Sequence, residues 1–299
     1  MYTLRYMLGV IFLCVIVTGS PLAQTTAIKP RILYGPCTTD SLTRTPFGEW
    51  FNPGYENYTP IATQLSLLQK EQLGNTRIRI FFGSWCGDSK RELPRFLKLL
   101  SAISFPPEKI ELIAVGGNDS LVKQSPGHEE AGLGIFRVPT FIMYRNGTEI
   151  GRINEFPVHS LERDLYDILS GRPYTPNYRS FRLILDWLKD GTLLEDNNSI
   201  RGLSEQVRPL LAGEQELNSL AYLLLKQGKK KEALQVFRIN YLLYPGSANT
   251  ASSLGEGYYE NGDYAKSVGL LEKSVAMNKD PEALPEILQL LYKAKAREK

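Results

Sequence analysis

Apolar residues change their spacing once along this chain, and that change restricts the folds open to it. Up to residue 170, short apolar runs of strand length alternate with stretches of helical spacing; from residue 177 onward only helical spacing remains. Ile78, Ile80, Phe81 and Phe82 make a β-rich run that stops at Gly83 and Ser84 and passes into a helix bearing Leu93, Phe96, Leu97 and Leu100. A second run, Ile110 to Val115, is bounded by Gly116 and Gly117. A third, Thr140 to Tyr144, meets the turn residues Asn146 and Gly147 and returns through Ile150 to Ile153 as a hairpin. Val158 to Leu169 is helical again, and a helix over 60–73 precedes the first strand, with Pro60 at its start and Ile61, Leu65, Leu68 and Leu73 on one face. The order strand, helix, strand, hairpin, helix predicts an α/β sandwich over residues 60–170.

The remainder is predicted to be all helix. After a Pro-containing linker, Gly171 to Pro176, helices are expected over Phe181 to Leu188 and Ile200 to Leu211, so residues 171–213 are linker and helices. A shift of 34 residues superposes Leu220 on Leu254, Ala221 on Gly255, Leu224 on Tyr258 and Gly228 on Gly262. Ala233, Phe237 and Pro245 fall at small, aromatic and proline positions, and Tyr264 to Val275 supplies the paired helix of the second copy. Residues 214–281 therefore resemble two tetratricopeptide repeats, and 282–297 read as a closing helix with Leu284, Ile287, Leu288, Leu291 and Tyr292 on one face. Two repeats are few for an isolated array, so they are expected to pack on the helices at 177–212. The resemblance implies a protein or peptide partner at the repeats, or a structural role in holding two domains together.

Length and composition fit an exported two-domain protein. The chain has 299 residues, 42% of them hydrophobic, and mixes 35 basic with 32 acidic side chains for a formal charge of +3. That balance carries no basic stripe, so no nucleic-acid partner is expected. Arg5, the apolar run Met7 to Val17, and the small residues Gly19, Ser20 and Ala23 form a targeting pattern, which predicts a signal peptide over 1–23. The expected location is periplasmic or extracellular in a bacterium, with an uncleaved membrane anchor as the alternative. Cleavage would remove Cys14 and leave Cys37 and Cys86 in a compartment where disulfides persist. Residues 24–59, rich in Pro, Thr and aromatics and without clear periodicity, read as a lead-in segment. With three cysteines and two histidines scattered along the chain, no metal site and no cofactor are expected.

The chemistry gathers at Cys86. Trp85, Cys86, Gly87, Asp88 and Ser89 follow the first strand and open a helix, and Val138, Pro139 and Thr140 precede a later strand. This arrangement resembles the thioredoxin superfamily, whose site places Trp, Cys, two residues and a second Cys at that turn, opposite a cis-proline. The resemblance covers residues 60–170 and implies an α/β thioredoxin-like sandwich, here followed by an all-α C-terminal tetratricopeptide-like helical repeat domain. It implies Cys86 as nucleophile, Trp85 framing the site, and Val138, Pro139 and Thr140 as backbone that aligns a substrate chain. A helix start favours a thiolate, because its free N–H groups and dipole attract negative charge; Asp88 acts against it. Ser89 stands where the resolving cysteine would be, so no disulfide can form within the motif.

Three routes remain open. Cys86 forms a mixed disulfide with protein thiols or disulfides, to be resolved by an external thiol; or it pairs with Cys37, the candidate resolving partner; or the scaffold serves recognition alone. Other residues suit plainer roles. Ser89 is a helix-start residue bonding a backbone amide, His128 and His159 are solvated loop and helix-start residues, Lys229 to Lys231 is a solvated helix corner, and Trp50, Phe51 and Tyr55 are packing residues. The expected function is exported thiol-disulfide chemistry, oxidoreductase or isomerase-like, with a non-catalytic protein-interaction and assembly role as the rival.

Overall fold

The fold is seen in a computed structural model that describes residues 32–71, 73–117 and 121–298. The targeting segment and Cys14 lie outside the described residues. Strand β2 (Thr76–Phe82) is the central strand: it buries Ile78, Ile80 and Phe82 on one face and Phe81 on the other, while Arg77 on that second face stays exposed. It pairs in parallel with β3 (Ile110–Ala114) and antiparallel with β4 (Thr140–Arg145). The parallel pairing requires a crossover, which helix α4 (Gly87–Ala102) provides. β4 returns directly into β5 (Thr148–Asn154) through Asn146 and Gly147, whose φ angles of 51° and 80° suit a two-residue hairpin loop.

A fifth strand, β1 (Gly35–Cys37), pairs antiparallel with β3 and completes a sheet of order β1-β3-β2-β4-β5. The segment expected to be a lead-in is thus part of the domain. It continues through α1 (Thr39–Thr43) and α2 (Gly48–Glu56), which bury Leu42 and Phe51 in the main core. Two peptide bonds are cis, Thr45–Pro46 and Val138–Pro139. The predicted helix over 60–73 is shorter, α3 (Ala62–Leu68); it buries Leu68, while Leu73 packs against the same core from beyond its end.

Two layers of apolar packing flank the sheet. On one face Ile78, Ile80, Phe82, Leu112, Phe141 and Met143 meet α4 and α5 (Leu161–Leu169), with Phe96 and Phe141 in ring contact at 4.2 Å. The opposite face is smaller. There Phe81, Ile113, Val115 and Ile142 are covered by Ile135 and Val138, residues of the long β3–β4 connection.

Beyond residue 171 the chain is helical, as expected: α6 (Ser180–Asp190), α7 (Ile200–Val207), α8 (Glu214–Lys226), α9 (Lys230–Leu243), α10 (Ala248–Glu260), α11 (Tyr264–Met277) and α12 (Leu284–Glu298). α10 begins 34 residues after α8, and α11 the same distance after α9. The α8–α9 and α10–α11 corners both turn on a left-handed glycine, Gly228 and Gly262. α6 and α7 share one core with α8 and α9 through Phe181, Ile184, Trp187, Leu203 and Val207. Val122 and Phe136 of the β3–β4 connection enter that same core, which ties the sheet to the helical region. Among the described residues no helix is long and apolar enough to cross a membrane.

Candidate functional site around Cys86

Strand β2 ends at Phe82 and α4 begins at Gly87, so Cys86 is the cap residue of that helix, with extended backbone (φ −87°, ψ 129°). Its amide donates to the Gly83 carbonyl at 2.9 Å, and its own carbonyl accepts from Lys90 at 3.0 Å. The side chain makes no capping bond. Instead Sγ, half-buried and unbridged, donates to the Val138 carbonyl at 3.3 Å, beside Pro139. Trp85 packs against two glycines, Gly83 and Gly117, where an added Cβ would lie 2.6 and 3.2 Å from the indole, and its Nε1–H donates to Val115 at 3.0 Å. Ser89 is fully buried and its hydroxyl accepts the Gly83 amide at 3.1 Å, the backbone-bonding role the sequence suggested. Asp88 forms an ion pair with Arg91 at 2.7 Å. Thr140 closes the facing turn by donating to the Arg137 carbonyl at 2.6 Å.

The structure therefore brings Trp85, Cys86, Gly87, Asp88, Ser89, Val138, Pro139 and Thr140 together at the ends of β2 and β4. Cys37 is elsewhere. It lies on β1, opposite Leu112, and packs with the core on the α4 face, whereas Cys86 packs with Phe81, Val115 and Val138 on the other face. β3 separates β1 from β2, two strand spacings or about 10 Å, and Cys86 rests on the segment leading to β4, beyond β2. Disulfides span Cα separations of up to about 7 Å, so joining the two thiols would require β1 to leave its place. Burial also pushes the Cys37 thiol up to about 11, which keeps it protonated at neutral pH.

Four residues that the sequence did not single out complete the surroundings. Lys123 has a left-handed backbone (φ 50°) held by the Lys123 amide on the Gly116 carbonyl and the Gly116 amide on the Gln124 carbonyl, both at 2.9 Å. This conformation directs its ammonium to the Phe136 carbonyl at 2.9 Å. Phe136 and Val138 lie on one segment, two residues apart, so the acceptors of Lys123 and Cys86 are within about 7 Å of each other. Burial, aided by the neighbouring Arg137, draws the Lys123 amine down to about 8, while Glu155 and Cys86 oppose that shift. Arg137 forms an ion pair with Glu155 at 3.5 Å, lies over the Tyr178 ring at 4.9 Å and donates to Ser219 on α8 at 2.7 Å. Tyr178 in turn donates its hydroxyl to Glu155 and stacks on Phe181 at 4.8 Å.

His128 and His159 are exposed and stay apart from this site, bonded to Glu130 and Asp164. Among the described residues no three His, Cys, Asp or Glu side chains gather as a metal-ligand group. No protein-family model matches the chain, and no curated protein matches it significantly.

Proposed function

We propose that this is an exported thioredoxin-like protein in which Cys86 carries out thiol-disulfide exchange, and that its helical region is a pair of tetratricopeptide-like repeats that holds a protein partner. The observation that carries the reading is the position of Cys86: an unbridged thiol at the start of a long helix, facing the Val138 carbonyl beside Pro139. A helix start favours the thiolate form that exchange needs. In the proposed step the Cys86 thiolate attacks one sulfur of a partner disulfide. The partner S–S bond breaks, a Cys86–partner disulfide forms, and the second partner sulfur leaves as a thiolate and takes up a proton. Ser89 supplies no second thiol, so an external thiol must release the partner. The distance and protonation of Cys37 favour this intermolecular route over internal pairing.

The rival reading, a non-catalytic assembly protein, also has an observation in its favour. The segment that faces Cys86 is bonded to α8 and its end cap, through Arg137 to Ser219 and through the Val122 carbonyl to Gln227, so it doubles as a structural joint. One experiment separates the two. Ser89→Cys places a second thiol three residues after Cys86 and is expected to confer reduction of insulin disulfides that the wild type lacks, while the wild type accumulates mixed disulfides through Cys86. If Ser89→Cys is folded and Cys86 accessible yet no reduction appears, and no mixed disulfide forms in the wild type, the assembly reading stands.

A further inference from the structure

A hollow of about 920 Å3 lies between β5 and the start of the helical region, away from the Cys86 thiol. Its lining includes Glu149, Ile150, Gly151 and Arg152, four consecutive residues of β5. A bulge interrupts the pairing with β4 at Ile150, where Glu149 faces Tyr144 and Gly151 faces Met143; on either side of it successive residues point to opposite faces, so a hollow lined by four in a row runs along the edge of the strand. Gly151 has only backbone to offer it. β5 is the last strand of the sheet and is paired only with β4 among the described residues, so its outer edge has no strand partner.

The opposite wall is aromatic and cationic. Tyr174 and Phe181 supply apolar surface, and Arg172, Arg179 and Arg182 stand on the same wall. The carboxylates nearby are already engaged. Glu149 holds Arg152 at 2.6 Å, Asp186 holds Arg182 at 3.2 Å, and Glu216 accepts the amide and hydroxyl of Ser180. Arg172 lies over the Tyr166 ring and Arg179 reaches the Pro209 carbonyl; both are exposed, and neither meets a carboxylate among the described residues.

We propose that this groove binds an extended acidic peptide segment as an added strand on β5. The main chain of the peptide pairs with the free edge, its carboxylates meet Arg172 and Arg179, and alternate apolar side chains rest against Ile150 and Phe181. The volume lies within the range of sites that enclose most of a ligand, about 300–1,000 Å3. The site is independent of the thiol chemistry: a partner could dock here whether or not Cys86 reacts.

The test uses the full chain and a short fluorescent peptide of alternating Val and Glu, followed by anisotropy at low salt. Saturable binding is expected, with amide hydrogen exchange slowed at residues 150–152. Arg172→Glu with Arg179→Glu should weaken it by at least about tenfold, as should N-methylation of alternate peptide amides, which removes main-chain donors and leaves the charges in place. Both arginines are exposed, so the double variant should keep its fold, and the exchange measurement on the wild type does not depend on it. Equal binding of a Val and Lys peptide, undiminished binding of the N-methylated peptide, or unchanged exchange along β5 would each overturn the proposal.

Discussion

Lys123 is a lysine whose burial draws its amine well below the ordinary value. Its folded value of about 8 lies below the ordinary 10.5, so between those values the unfolded chain binds more protons than the folded one. Stability at this site therefore rises with pH across that window, and the penalty for burying the charge is fully present below it. Lys123→Met removes the titration. Urea unfolding at pH 7 and pH 10 should show the wild type gaining about 2–3 kcal/mol on the variant between the two; an unchanged difference would mean that the amine is not desolvated. Cys37 titrates in both proteins, so its contribution cancels. The sequence displayed Trp85, Cys86, Ser89 and Pro139 because they belong to one local pattern. It hid Lys123, Glu155 and Tyr178 because each reaches the site from a distant segment, and a lysine followed by glutamine in a loop carries no mark of burial.

At the scale of elements, legibility followed length and regularity. β2, α4, the β4–β5 hairpin and the C-terminal helices were readable because each repeats its apolar spacing often enough to be recognised. β1 and α2 were not. A strand of three residues that includes Pro36 shows no alternation, and a helix with Pro53 and Gly54 inside it contradicts local propensity. Packing decides both, through Phe51 in the core and the close approach of Gly54 to Pro94, whose side chain would lie 2.7 Å from an added Cβ. The turn from β2 into α4 is built on a similar close approach, and it can be tested. Gly83→Ala puts a methyl 2.6 Å from the Trp85 indole, so the ring must move and the bond from Nε1 to Val115 is lost. The expected outcome is a loss of about 1–3 kcal/mol and faster exchange of the Trp85 indole proton, read by NMR. A variant with unchanged indole protection would show that the ring is not held by this packing.

At the scale of the whole molecule, the β3–β4 connection belongs to both halves. Ile135 and Val138 cover the sheet, while Val122 and Phe136 fill the core of α6, α8 and α9, so the backbone that receives the Cys86 thiol is anchored by helical residues. Phe136 meets Phe181 edge to face at 5.2 Å, and its carbonyl holds Lys123. Neither contact reaches Cys86 directly. Phe136→Ala should cost about 3–5 kcal/mol by leaving a cavity between the halves. If the halves fold as one, far-ultraviolet and tryptophan-fluorescence melts of the wild type coincide, because Trp50 and Trp85 report the sheet and Trp187 the helices. The variant should separate the two transitions and also alter the labelling rate of Cys86, through the carbonyls at 136 and 138. Separated melts with an unchanged rate would show that the joint couples the halves but leaves the thiol site to the sheet; coincident melts would show that Phe136 is not what couples them. A changed rate would mean that packing in the helical core reaches the Cys86 thiol through the backbone at 136 to 138.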